Sequence, residues 1–214
     1  MKEYIKIETV FERDMNGTKK LIEGKFRDET VEYLQDCLWD WTEKIDGTNI
    51  GVVWDGHKVS FQGRTERANI PAPLVNRLNE LFGGDINEEL FEQKFGKKNV
   101  ILYGEGFGHK IQKVGDQYMP DEVDFILFDV YLPDFDMWLA RYAVEDIAKG
   151  FCIKAVPIIF RGTISQAIQC VKSKPLSTIG TAPMEGLVGR PHIEGRNRIG
   201  QRIIVKVKAK DFES

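Results

Sequence analysis

The sequence predicts an α+β fold of mostly antiparallel sheets with helices around them. Short segments alternate apolar and polar residues at the strand period, as in IKIETV near the N-terminus and KVSFQ at 58–62. Two longer apolar runs, VILYGEG and DFILFDVYL, read as buried strands. Other segments carry apolar residues every three or four positions, as amphipathic helices do.

In chain order, IKIETV is the first strand. Residues 11–27 are mostly polar and carry Asn16-Gly17, a turn signal. Residues 28–38 fit a short helix or turn. Strands are expected at about 41–46, 50–54 and 58–62, the last two joined by an Asp55-Gly56 hairpin turn. Helical spacing marks 73–82 and 87–95, and again 138–149 and 163–172. The segments EGLVGRP and RIIVKVKAK close the chain as strands. No repeat, low-complexity run or long linker interrupts the 214 residues, which suit one large domain or two small ones.

Composition excludes several classes. With 42% hydrophobic and 11% aromatic residues the chain can bury a core and is not of disordered type. The formal net charge of -3 gives no global basic field, so a nucleic-acid partner must be held by a local basic patch. Cys37, Cys152 and Cys170 are far apart and show no CxxC spacing, against a zinc site or a disulfide scaffold. The N-terminus lacks the apolar run of a signal peptide, and no stretch is long and apolar enough for a bilayer span, so a reducing cytoplasm is expected.

The segment WTEKIDGTNI, residues 41–50, is the first to suggest chemistry. In a strand, Lys44, Asp46 and Thr48 share a face. A lysine there is either a surface residue paired with an aspartate or a reactive amine. Four later segments bear on the choice. YGEG ends a strand with Glu105 beside glycines that admit a ligand to the backbone. LFDV puts Phe128 and Asp129 on opposite faces of a strand, MEGLVGRP sets Glu185 just before one, and IIVKVKAK places Lys206, Lys208 and Lys210 on one face. By itself the last is also what a lysine-guarded sheet edge looks like. GEGFGHK matches neither GxxxxGK[ST] nor GxGxxG and reads as a strand end. His57, His109 and His192 are scattered, without metal-ligand spacing.

Taken in order, KxDG, a strand ending in GE, an aromatic strand ending FDV, EGLV and a K-x-K strand resemble the covalent nucleotidyltransferases, which include polynucleotide ligases and RNA capping enzymes. EKIDGTN, the following FQGRTER and YGEGFG resemble the ATP-dependent RNA ligases that seal nicks in duplex RNA, among them short phage-encoded members. The resemblance spans residues 40–212. It implies an adenylation domain with a nucleotide cleft between its sheets, residues 1–39 being an N-terminal addition and no C-terminal OB or helical domain following.

The resemblance also implies roles. Lys44 attacks the α-phosphate of ATP and carries AMP. Lys206 and Lys208 neutralise phosphate charge. Glu105 takes the ribose hydroxyls and Phe128 stacks on adenine, with Phe125 as a rival in the same strand. The backbone at Glu43 reads the adenine amine. Asp46, Glu105 and Glu185 hold a magnesium or manganese ion, through water because magnesium dehydrates reluctantly. Asn49 and Arg64 contact phosphate or the 3′-terminal nucleotide. The implied partners are RNA ends, most simply a nicked duplex, and a protein that supplies the missing C-terminal clamp. The alternatives are an enzyme of the DNA ligase or capping type, a module that adenylates itself but seals poorly, and a non-catalytic RNA-binding protein. The last would carry a basic groove interleaved with exposed aromatics.

Overall fold

The computed structural model describes residues 3–65 and 68–212. Strands β1 (Glu8–Thr9), β2 (Phe11–Arg13) and β3 (Leu21–Phe26) precede helix α1 (Glu29–Tyr33). Strands β4 (Trp39–Lys44), β5 (Thr48–Trp54) and β6 (Val59–Gln62) lead to helices α2 (Ala72–Phe82) and α3 (Asp85–Phe95). Strands β7 (Val100–Gly108) and β8 (Val123–Leu132) flank a short helix α4 (Gly115–Tyr118). Then come β9 (Met137–Trp138), α5 (Arg141–Gly150), β10 (Lys154–Ala155), β11 (Ile158–Gly162), α6 (Ile164–Lys172), β12 (Gly186–Pro191) and β13 (Val205–Lys208). The fold is α+β and mostly antiparallel, as expected; the β1–β13 and β10–β8 pairs are parallel. No described helix is long and apolar enough to cross a membrane.

The chain forms two compact units. One comprises Asp46–Val156 together with Tyr4, the other Ile5–Ile45 and the chain from Pro157 onward. The first unit is built on a sheet of order β10-β8-β7-β5-β6, with β9 beside β8. Strict alternation in β5 sends Ile50, Val52 and Trp54 to one face, where they meet Leu74, Leu78 and Phe82 of α2 and Phe91 of α3. The opposite face carries a smaller aromatic cluster of Tyr103, Tyr131, Phe128, Trp138 and Tyr4.

The second unit has the sheet order β1-β13-β12-β4-β11 and a separate β2–β3 hairpin. In β4 the buried Trp39, Trp41 and Glu43 alternate with the more exposed Asp40, Thr42 and Lys44. The tryptophans stack at 5.8 Å, and Trp41 donates its indole N–H to the Gly162 carbonyl at 3.0 Å. Helix α6 opens on a capping box, Thr163 with Gln166, and lays Ile164, Ala167, Ile168 and Val171 on that core.

Several elements differ from expectation. Strand β4 ends at Lys44, so Asp46 lies beyond it and does not share a strand face with Lys44 and Thr48. Strand β13 ends at Lys208; Ala209–Phe212 turn into a 3-10 helix, which removes Lys210 from the lysine face. Residues 11–27 form the β2–β3 hairpin, with Asn16-Gly17 in its turn. The expectation missed these strands because β3 is solvated along most of its length and shows no apolar period. Helix α5 starts at Arg141, not 138, because Trp138 pairs with Tyr131 across β9 and β8.

Candidate active site

In the second unit three strands bring the basic residues together. Gly186 of β12 pairs with Lys44 of β4 on one side and Lys208 of β13 on the other. Two residues further along, Val188 lies between Thr42 and Lys206. Register therefore aligns Lys44, Lys206 and Lys208 on one sheet face. Glu185, just ahead of β12, accepts from Lys44 Nζ at 2.5 Å and from Lys208 Nζ at 2.8 Å. Burial alone would raise the Glu185 carboxyl, but the two ammonium groups outweigh it and hold it below its ordinary value. Lys206 is shifted in the same direction, which for an amine disfavours the charged form. Burial first, then the like charges of Lys208 and Lys44, push it down to about 8. Three amines share this face and Glu185 pairs with two of them, an excess of positive charge that suits a polyphosphate.

Glu43 points the other way from Lys44, as strand parity requires. Its carboxylate is buried at 2% exposure and accepts from Ser177 Oγ, Thr178 N and Thr178 Oγ1. Its backbone N–H donates to the Pro157 carbonyl at 3.1 Å. The Glu43 side chain thus anchors the loop between α6 and β12, a role that sequence reasoning did not assign. The only sequence signal was an acid at a core-facing position of an alternating strand.

In the first unit, Asp46 and Gly47 form the turn into β5. The Asp46 N–H donates to Tyr118 Oη at 3.1 Å, and Gln112 Nε2 donates to the Gly47 carbonyl at 2.9 Å. Neither Tyr118 nor Gln112 was singled out from sequence. A Cβ on Gly47 would stand 2.2 Å from the Gly106 carbonyl oxygen, so the glycine is needed for close approach of two backbones. Asn49 in β5 lies directly opposite Glu105 in β7, so the two share a face. Arg64 is exposed in the bend after β6; the last two residues of FQGRTER, Glu66 and Arg67, lie outside the described residues.

Phe128 sits at a break in the β7–β8 ladder, where Tyr103 pairs with Asp129 but Gly104 pairs with Leu127. Such a bulge re-aims a side chain. Phe128 and Asp129 consequently do not point to opposite faces: Tyr4 meets the ring of one and the carboxylate of the other. The rival Phe125 is buried in the α2 side of the core, its ring 5.4 Å from Phe82.

Asp46 and Glu105 belong to the first unit and Glu185 to the second. Among the described residues no three His, Cys, Asp or Glu side chains are gathered closely enough to hold a metal ion. A hydrated ion, touched through water, asks less of the carboxylates than direct ligation. Of the histidines, His57 is exposed, His109 Nδ1 lies 2.9 Å from Asp116, and His192 Nδ1 lies 3.2 Å from Asp40.

Comparison with known proteins bears on this geometry. The family model described as RNA ligase matches residues 39–208. No curated relative matches the chain by sequence. Solved structures of an RNA ligase from Naegleria gruberi are similar. One, a variant with AMP and manganese, has a TM-score of 0.64 at 22% identity over 86% of this chain and 53% of its own. Another, a variant with ATP and manganese, has a TM-score of 0.64 at 21% identity over 95% of this chain and 55% of its own. The chain therefore spans about half the length of these relatives.

Proposed function

Since the chain belongs to the RNA ligase family, we propose that it joins RNA ends with ATP, through an AMP adduct on Lys44. The observation that carries this is the row of Lys44, Lys206 and Lys208 on one sheet face, with Glu185 paired to Lys44 and Lys208. The ATP- and AMP-bound Naegleria gruberi structures support the choice of nucleotide.

Lys44 must lose a proton before it attacks, and in the free protein its amine is paired with Glu185. The neutral amine attacks the α-phosphate, a phosphorus–nitrogen bond forms, and pyrophosphate leaves with the electrons of the broken phosphoanhydride. Lys206 and Lys208 stabilise the charge that builds on phosphate oxygens. Glu105 takes the ribose and Phe128 the adenine. A bound magnesium or manganese ion would neutralise phosphate charge; the acids proposed for it are Asp46 and Glu105 of the first unit and Glu185 of the second. The AMP then passes to a 5′-phosphate end. A 3′-hydroxyl attacks that phosphate and AMP departs. Both later steps are in-line displacements, for which positioning matters most. Asn49 and Arg64 would fix the strand ends. Arg190, Arg196, Arg198 and Arg202 follow along the end of β12 and the loop to β13, a local basic stretch in an acidic chain and one that sequence reasoning passed over.

The test is incubation with radiolabelled ATP and magnesium, then addition of nicked duplexes with RNA or DNA on each side of the nick. Label should reach the protein, vanish in Lys44→Ala, and chase through the adenylated RNA end into free AMP as the RNA is joined. Full labelling of Lys44→Ala would refute the assignment. Joining of nicked DNA in preference to RNA would overturn the substrate.

A further inference from the structure

We infer that Tyr4 is a positioning residue for Phe128, the ring that takes adenine in the reading above and on which this inference rests. Tyr4 lies outside every motif that carries the family resemblance. Yet its ring packs against three aromatics at once: Phe128 at 4.9 Å with an interplanar angle of 68°, Tyr103 at 5.0 Å and Trp138 at 5.4 Å. Its hydroxyl donates to Asp129 Oδ2 at 2.9 Å. Asp129 is fully buried and is the residue next to Phe128 in β8.

This arrangement answers a local problem. At the bulge, the ladder that would otherwise set the direction of the Phe128 side chain is interrupted. The ring is half-buried, so packing from one side must fix it. Tyr4 supplies that side with an edge contact, a geometry aromatic pairs favour. Tyr4 is itself held by a hydrogen bond to a buried carboxylate, the stronger kind of such bonds. The ring and the carboxylate belong to consecutive residues, so one tyrosine fixes both sides of the bulge. The role differs from burial alone because Phe128 keeps one part exposed for a ligand.

The experiment compares the full chain with Tyr4→Phe, which keeps the ring packing, and Tyr4→Leu, which removes it. The readouts are the rate of AMP adduct formation against ATP concentration, and inhibition by inorganic tripolyphosphate, which has no adenine. In Tyr4→Leu the KM for ATP should rise by roughly tenfold, the weight of one charge-assisted hydrogen bond with its packing. Tyr4→Phe should lie between that and the parent. The kcat and the tripolyphosphate inhibition constant should stay unchanged in both variants. An unchanged ATP KM in Tyr4→Leu overturns the inference. So does a parallel weakening of tripolyphosphate, which would mean general loosening. A lower ATP KM would also overturn it, by showing that Tyr4 competes with adenine for the ring. A parent protein that labels normally separates these failures from failure of the ligase reading, because no adduct at all in the parent refutes both.

Discussion

Lys206 gives the sharpest prediction, because its position carries a cost in stability that can be measured apart from the part in catalysis proposed for it. Its amine is pushed from 10.5 to about 8, by burial first and by Lys208 and Lys44 next. Glu8 pulls the other way, but that carboxylate also pairs with Lys6 at 3.2 Å and Arg27 at 3.4 Å. At the usual exchange the shift corresponds to at most about 3.5 kcal/mol. Solvent screening of a half-buried amine reduces this to about 1–2 kcal/mol.

The sign follows from proton binding. Between pH of about 8 and the unfolded value of 10.5, the unfolded chain holds more protons at this group than the folded one. Stability from this group therefore rises with pH in that window, and the penalty is fully present below it. Lys206→Met keeps most of the stem and removes the charge. In the nucleotide-free protein at pH 7 it should be more stable by about 1–2 kcal/mol, which for a chain of this size is about 2–8 °C in Tm. The gain should shrink as pH climbs from 8 towards 10. The same variant should lose adduct formation by about 100-fold or more, the scale of one missing charge donor in a transition state. Circular dichroism melts at several pH values, paired with ATP labelling, measure both. A Lys206→Met protein that is less stable at pH 7, or whose difference from the parent does not vary with pH, would refute the reasoning.

Three further outcomes are expected. Glu43→Gln should lower stability by about 1–3 kcal/mol, because a buried charge-assisted network loses its anion, and thermal melts will show it. Asn49→Ala and Arg64→Ala should still form the Lys44 adduct but join a nick poorly; a parallel fall in labelling and in joining of a pre-adenylated nick would remove their strand-positioning role. Lys208→Ala should cut labelling by about 100-fold or more while Lys210→Ala, exposed in the closing 3-10 helix, leaves it nearly intact. Equal losses at the two positions would favour a solvated lysine edge over a site.

The parts of the site legible in sequence are those where period-two alternation applies without interruption. Lys206 and Lys208 flank Val207 in a strand whose buried residues alternate, so their common face followed directly. Alternation misled where a strand stopped or bulged. Asp46 is two residues from Lys44, yet β4 ends between them, and a turn anchored by Tyr118 and Gln112 takes over. Phe128 and Asp129 are adjacent, yet the slip opposite Tyr103 and Gly104 brings both to Tyr4. Neither break leaves a mark in composition, because the partners that enforce it come from elsewhere in the chain. Glu43 shows the same limit from another side. Parity separated it from Lys44, but which of two polar residues entered the core depended on Ser177 and Thr178, far along the sequence.

The pair Glu185-Gly186 shows why two residues that look unremarkable in sequence belong together in the lysine row. Gly186 is the central member of the rank Lys44, Gly186, Lys208 across β4, β12 and β13. With no side chain there, the amines from either flank can reach inward over β12 to the carboxylate supplied by the preceding residue. A Cβ at 186 would stand 2.2 Å from the Val207 carbonyl oxygen, so any larger residue would force β13 away from β12. Displacing β13 moves Lys206 and Lys208 together, since both ride on that four-residue strand. The glycine therefore controls the spacing on which the ion pairs depend. Glu185 offsets the mutual repulsion of Lys44 and Lys208, the two amines it pairs with. The face keeps its excess positive charge because one carboxylate offsets only part of it.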